Sequence, residues 1–151
     1  MKSVLNNRGL GIKAKKCLYE GEIVPTALYG AEACCIRSAE RRKVDVFEMK
    51  CLRSLVGVSR MDIVRNEEVR RRAGIERELA SRADQRVLRW FGHLERMNEY
   101  RIARRVLTGA RETEVRPDGW CEGGLRHRGM TVDAARQCAK DRKAWRALVH
   151  M

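Results

Sequence analysis

The chain has 151 residues, with 33 Lys and Arg against 20 Asp and Glu, a formal net charge of +13 and a pI near 10.1. That length holds one compact domain or two small subdomains and excludes a large multidomain enzyme. The charge predicts attraction to polyanions, of which RNA or DNA is the commonest, and no stretch approaches the ~18–20 apolar residues that a membrane-spanning helix needs.

At the amino end, Met1-Lys2-Ser3-Val4-Leu5-Asn6-Asn7-Arg8 reaches charge too soon to form the apolar core of a secretory signal. An intracellular location, nucleus or cytoplasm, is expected, and the six cysteines then read as reduced thiols that mostly fill small core sites. From Ile12 to about Ala33 the sequence favours helix, with Ile12, Leu18, Ile23, Ala27 and Leu28 as packing positions and Pro25 kinking or dividing it. After Ser38, the spacing of Val44, Phe47, Cys51, Leu52 and Leu55 predicts one buried helical stripe that ends at Gly57.

Asn66 is the expected N-cap of a short basic helix, Glu67 to Ala73, with acidic residues in its first turn and Arg70, Arg71 and Arg72 in its last, an order that suits the helix dipole. Beyond Gly74, Leu79, Ala83, Val87, Trp90 or Phe91, Leu94 and Met97 trace the apolar face of the strongest helix, with Arg82, Arg86, Arg89 and Arg96 on its other faces. A shorter helical run from Arg101 to Leu107 carries Arg104 and Arg105. Residues 110–130 crowd Pro117, Gly119, Gly123, Gly124 and Gly129 together without a period and predict a loop or linker. Thr131 then caps a final helix with Val132, Ala135, Cys138, Arg142, Trp145 and Val149 near one side. The expectation is a mainly α fold: a helical region over 1–109, a Gly-rich linker over 110–130 and an amphipathic C-terminal helix over 131–151.

Signals for catalysis are weak. The aspartates at 45, 62, 84, 118, 133 and 141 never form an adjacent pair, whereas two-metal chemistry needs clustered carboxylates. Cys121 and His127 are the closest Cys/His pair and no Cys-x-x-Cys occurs, so the spacing does not point to structural zinc, and no cofactor is expected. The positive signal is arginine interleaved with aromatic residues: Arg89-Trp90-Phe91-Gly92-His93 with Arg96, and Arg142 with Trp145-Arg146. Guanidinium groups pair with phosphates and rings can stack on unpaired bases; alternatively the rings are core anchors and the arginines a solvated face. His93 reads as a packing histidine or a phosphate contact.

Several local runs, in order, resemble non-LTR retrotransposon reverse transcriptases just beyond the polymerase palm. They are Ile23-Val24-Pro25-Thr26-Ala27-Leu28-Tyr29-Gly30-Ala31-Glu32, Gly57-Val58-Ser59-Arg60-Met61-Asp62 and Arg65-Asn66-Glu67-Glu68-Val69. Arg89-Trp90-Phe91-Gly92-His93-Leu94-Glu95-Arg96-Met97 resembles that family's Trp-Phe-Gly-His element, and Asp141-Arg142-Lys143-Ala144-Trp145-Arg146 its terminal Asp-Arg-x-x-Trp-Arg element. The resemblance implies a thumb-like and C-terminal fragment whose polymerase and endonuclease motifs would lie upstream, with no catalytic residue carried over and a role in holding template RNA or target DNA. Two departures stand out: Cys34-Cys35 falls where the family has a Trp, and Asp118-Gly119-Trp120-Cys121-Glu122-Gly123-Gly124-Leu125 replaces a Trp-Met-Asp-Gly-Val-Lys-like helix. A codon series for the family run, read out of frame, yields that same string, which suggests a local frameshift and a disordered 110–130. The expected function is non-catalytic nucleic-acid binding. A helical protein-interaction module and a translated relic without selected function are the alternatives, and oligomeric state stays open.

Overall fold

A computed structural model describes residues 2–7, 9–33, 38–109 and 119–150, and the chain within it is mainly α, with no strand among those residues. It divides into two compact units, Met1–Tyr29 with Ser38–Ala80 and Gly30–Arg37 with Ser81–Met151, so one boundary falls two residues into a helix and not in the Gly-rich stretch.

The first unit begins with α1 (Lys2–Leu5) and α2 (Ile12–Leu18). Pro25 does not stop the helical course. A π turn over Tyr19–Ile23, closed by the Val24 N–H on the Tyr19 carbonyl, leads straight into α3 (Val24–Ala27) with Pro25 in its first turn, where a missing N–H costs least. Next comes α4 (Ser38–Val56), which buries Glu48, Met49, Leu52 and Leu55. The buried stripe is therefore rotated from the expected one, because Phe47 and Val46 are exposed and a carboxylate lies on the seam. Gly57 adopts the left-handed conformation expected of a C′ residue, and the Val58 N–H closes the helix end on the Arg53 carbonyl.

α5 (Asn66–Ala73) is capped at Arg65, one residue earlier than expected, and Asn66 Oδ1 instead accepts a hydrogen bond from Arg53 at 3.0 Å. Gly74, left-handed at φ 65°, ends it, with the Ile75 N–H returning to the Arg70 carbonyl. Glu48, fully buried, ties this unit together. Its Oε1 accepts from the Tyr19 hydroxyl at 3.2 Å and from the Leu79 N–H at 3.0 Å, and its Oε2 accepts from Arg70 at 2.7 Å. A carboxylate from α4 thus caps the start of α6 (Leu79–Glu95), where orphan N–H groups and the dipole favour negative charge. One turn earlier in α4, Asp45 is less well placed: burial, then the neighbouring Glu78, pushes its carboxyl above the usual range, and its Oδ1 has no hydrogen-bond partner.

The second unit is organised by α6 from Ser81 onward, followed by α7 (Ile102–Gly109), α8 (Gly119–Arg126), α9 (Val132–Lys140) and α10 (Arg142–His150). Its core joins Val87, Leu88 and Phe91 to Cys121 and Leu125, to Ala135 and Ala139, and to Trp145 and Val149. Two expectations are corrected here. Residues 119–126 are helical rather than linker, because Cys121, Gly124 and Leu125 recur at helical spacing; Cys121 and Leu125 are fully buried, and a Cβ on Gly124 would approach Leu88 to 3.3 Å. The expected disorder of 110–130 thus fails from Gly119 onward, while 110–118 lie outside the described residues, as do Cys34 and Cys35. The final helix is two helices, because Asp141 takes an extended conformation and its Oδ1 caps α10 through the Lys143 and Ala144 N–H groups at 2.8 and 3.3 Å. Thr131 caps α9 as expected, its hydroxyl accepting from the Ala134 N–H.

Trp145 locks α10 to α6. Its ring lies 5.7 Å from that of Phe91, its indole N–H donates to the Leu88 carbonyl at 3.0 Å, and it covers Gly92 so closely that a Cβ there would lie 2.0 Å from Nε1. The Trp-Phe-Gly-His and Asp-Arg-x-x-Trp-Arg elements are therefore two halves of one contact. Arg128 fastens the far end of α10, donating to the Leu148 and Val149 carbonyls and to that of Gly124, so carbonyls left orphaned at a helix end find a partner. Burial lowers the Arg128 pKa, against which Asp84 pulls.

Candidate nucleic-acid interface

At 3.6 residues per turn, alternating steps of four and three keep side chains on one face; Arg82, Arg86, Arg89 and His93 follow that alternation along α6, and Arg96 comes three residues on, in the turn just past Glu95. The four on the helix fall within an arc of roughly 60° and span about 17 Å at ~1.5 Å per residue. The acidic residues of the helix, Asp84 and Glu95, lie on the opposite side and are at most 7 % exposed. Charge is thus segregated around one helix, apolar and carboxylate side chains inward and cationic side chains outward.

The stripe is held in different ways along its length. Arg82 and Arg86 are half-buried, with Arg86 3.7 Å from Glu32. Arg89, His93 and Arg96 are exposed, and Arg96 donates one N–H to the Ala139 carbonyl at 2.6 Å, which fixes the guanidinium and leaves the rest of its donor fork. The open choice between Trp90 and Phe91 resolves clearly: Phe91 is fully buried, whereas Trp90 is 37 % exposed and sits at the edge of the stripe. His93 is not a packing histidine. Its ring lies 5.4 Å from that of Trp90 at 33°, one turn along the same exposed side.

The remaining expected contacts are dispersed. Arg142 and Arg146 are exposed on α10. Arg104 is engaged internally, its NH1 2.8 Å from the buried Glu95 carboxylate that Arg136 also approaches at 3.6 Å, so it braces α6, α7 and α9 instead of facing outward. Arg105 is exposed and has partners within the chain. In the first unit Arg70 is likewise turned inward to Glu48; burial opposes its charge, but the hydrogen bond to Glu48 together with the charges of Glu48 and Glu78 outweighs it and holds its pKa above the ordinary value. Arg71 and Arg72 are exposed, yet both grip Glu68, and their hydrogen bonds pull its carboxyl down to about 2.

Among the described residues no group of three His, Cys, Asp or Glu side chains is placed to hold a metal ion, and no helix is long and apolar enough to cross a membrane. The first unit also has a cleft of about 690 Å³, lined mainly by apolar groups including Leu5, Ile23, Phe47 and Met49. Cys121 is a core filler, Cys51 and Cys138 are half-buried and Cys17 is exposed. Compared with protein-family models, with curated proteins and with solved structures, the chain matches none of them.

Proposed function

We propose that the chain is a non-catalytic nucleic-acid-binding module that contacts the phosphate backbone through the cationic stripe of α6. The observation carrying this reading is the segregation itself: four basic side chains on one face of a single helix, with Arg96 in the turn just past its end, and the helix's two acidic side chains, each 7 % exposed, on other faces. A merely solvated helix has no need to keep its acids off its outer face, since mixed signs there stabilise it through pairs one turn apart. The resemblance to the C-terminal region of non-LTR retrotransposon reverse transcriptases is part of the same proposal: a fragment that holds template RNA or target DNA without doing the chemistry. Amplifying the genomic locus tests the frameshift within it, which fails if no change of frame recovers the family run across residues 118–125.

The function is tested by titrating the purified chain against a labelled RNA hairpin and a labelled DNA duplex at increasing salt. Each phosphate neutralised on duplex DNA contributes about −0.9 to the slope of log K against log salt, so Arg89→Ala flattens the slope by about one contact while Arg71→Ala leaves it in place. A slope near zero, or no binding at low salt by a folded sample, overturns the reading.

The cleft gives a second reading its support. Phe47 and Val46 are both more than 40 % exposed at its edge. An exposed apolar rim beside a concave surface suits association with another protein, which is insensitive to salt.

A further inference from the structure

The charge stripe accounts for backbone attraction, but not for the ring pair set into it. Aromatic side chains normally serve the core; in this unit Phe91 and Trp145 do so, at no more than 3 % exposure and in contact with each other. Trp90 does not. It is adjacent to Phe91 in sequence yet turned outward by one helical step, with 37 % of its surface in solvent and the exposed imidazole of His93 tilted against it. Arg89 precedes it directly, and Arg86 lies one turn back on the same side. The backbone beneath is fixed, because Gly92 is pinned under Trp145 and Phe91 is packed in the core, so the rings stand on a rigid support.

We infer that Trp90 and His93 form a stacking platform for an unpaired nucleobase, so that the ligand of the α6 stripe is a single-stranded or looped segment rather than a continuous duplex. This rests on the nucleic-acid-binding reading above. A duplex keeps its base faces stacked on one another and offers the stripe only phosphates, whereas an unpaired base exposes a π-face that an indole or imidazole can cover. The exposed Arg89 then meets a phosphate flanking that base. The platform is indifferent to base identity, since every base has such a face.

Binding of the full chain to single-stranded oligouridine, oligothymidine and a blunt DNA duplex, each labelled, separates the inference from the reading it rests on. Trp90→Ala, with its folding verified by a circular-dichroism melt, is expected to weaken both single strands about 5- to 100-fold, as loss of one stacked base does, and to change duplex affinity by less than twofold. Trp90→Phe keeps a ring and is expected to retain most of the single-strand affinity, and Tyr100→Ala, an exposed ring off the stripe, to retain all of it. Equal losses for oligouridine and oligothymidine mark recognition of the base face; a larger loss for oligouridine marks a platform preferring RNA, and both support the inference. If Trp90→Ala and His93→Ala leave single-strand affinity unchanged while Arg89→Ala lowers it, the platform is wrong and the phosphate reading survives. If the wild-type chain binds none of the three at low salt, both fall.

Discussion

Replacing Gly92 with alanine tests the contact on which the second unit turns. In an open helix interior this change is favourable by about 1 kcal/mol, because alanine restricts the unfolded chain and glycine does not. Here the new Cβ would lie 2.0 Å from Trp145 Nε1 and 2.3 Å from Cδ1, well inside contact distance, so either the indole leaves or α6 and α10 separate. Overpacking of this kind costs about 1–3 kcal/mol, and stranding the buried indole N–H that now reaches the Leu88 carbonyl at 3.0 Å adds about 1–3 kcal/mol. Set against the helix-propensity gain, the net destabilisation is about 1–5 kcal/mol. Because the chain has two units, a single melting midpoint does not isolate the effect, and local hydrogen exchange does. Amides of α6 beyond Ser81 and of α10 are expected to lose about 5- to 5,000-fold in protection. Gly21→Ala is the control: nothing lies within 4 Å of its Cβ position, so it leaves α6 and α10 untouched. In the double variant, Trp145→Leu is expected to recover part of the loss, as coupled neighbours do. Protection in Gly92→Ala equal to or above that of the wild type would refute the reasoning.

The other predictions concern charged groups. Glu48→Gln takes from half-buried Arg70 its 2.7 Å anionic partner, leaving Glu78 at 3.7 Å, and weakens the cap on α6, so the first unit is expected to lose about 2–4 kcal/mol in urea unfolding; no measurable loss would refute the central role of the Glu48 carboxylate. Asp45 has the opposite sign: its folded pKa is raised, so its stability contribution is complete below the unfolded value near 4 and declines as pH rises through the folded one. Asp45→Asn should therefore be more stable than wild type at neutral pH, with the difference vanishing below about pH 4 in paired melts. Arg128→Ala releases the Leu148, Val149 and Gly124 carbonyls and is expected to cost about 1–3 kcal/mol, seen first as faster exchange in the last turn of α10. Arg104→Ala is expected to lower the stability of the second unit by removing a partner of buried Glu95 while leaving the salt slope of nucleic-acid binding unchanged, a pattern opposite to that of Arg89→Ala.

Local rules made some features of this chain readable and hid others. Helix ends were legible where one residue decides them: Gly57 and Gly74 adopt the left-handed conformation that glycine permits, and Thr131 caps its own helix. The face of α6 was legible because its apolar residues repeat over more than four turns, but the choice between Trp90 and Phe91 was not, since both flank that stripe and only the packing of α8 and α10 around Phe91 decides which is buried. The seam of α4 was not, because hydropathy counts Glu48 as a surface residue, whereas Tyr19, Arg70 and the Leu79 N–H supply every partner its buried carboxylate needs, and those lie 22 to 31 residues away. Residues 119–126 were misread for a related reason: Gly119, Gly123 and Gly124 look like loop punctuation, but at Gly124 the missing side chain lets α8 approach Leu88. The same substitution of closeness for propensity explains Gly92. A glycine costs an isolated helix about 1 kcal/mol, and that cost is worth bearing only where a ring 57 residues from Leu88 in sequence lies on the gap. Of the candidate arginines, sequence could place charge but not its use, since Arg70 and Arg104 turn inward to buried carboxylates while Arg89 faces out. What separates them is what each guanidinium meets: Arg70 lies against the buried Glu48 carboxylate and Arg104 against that of Glu95, whereas Arg89 is exposed on the face of α6 that carries no acid of that helix.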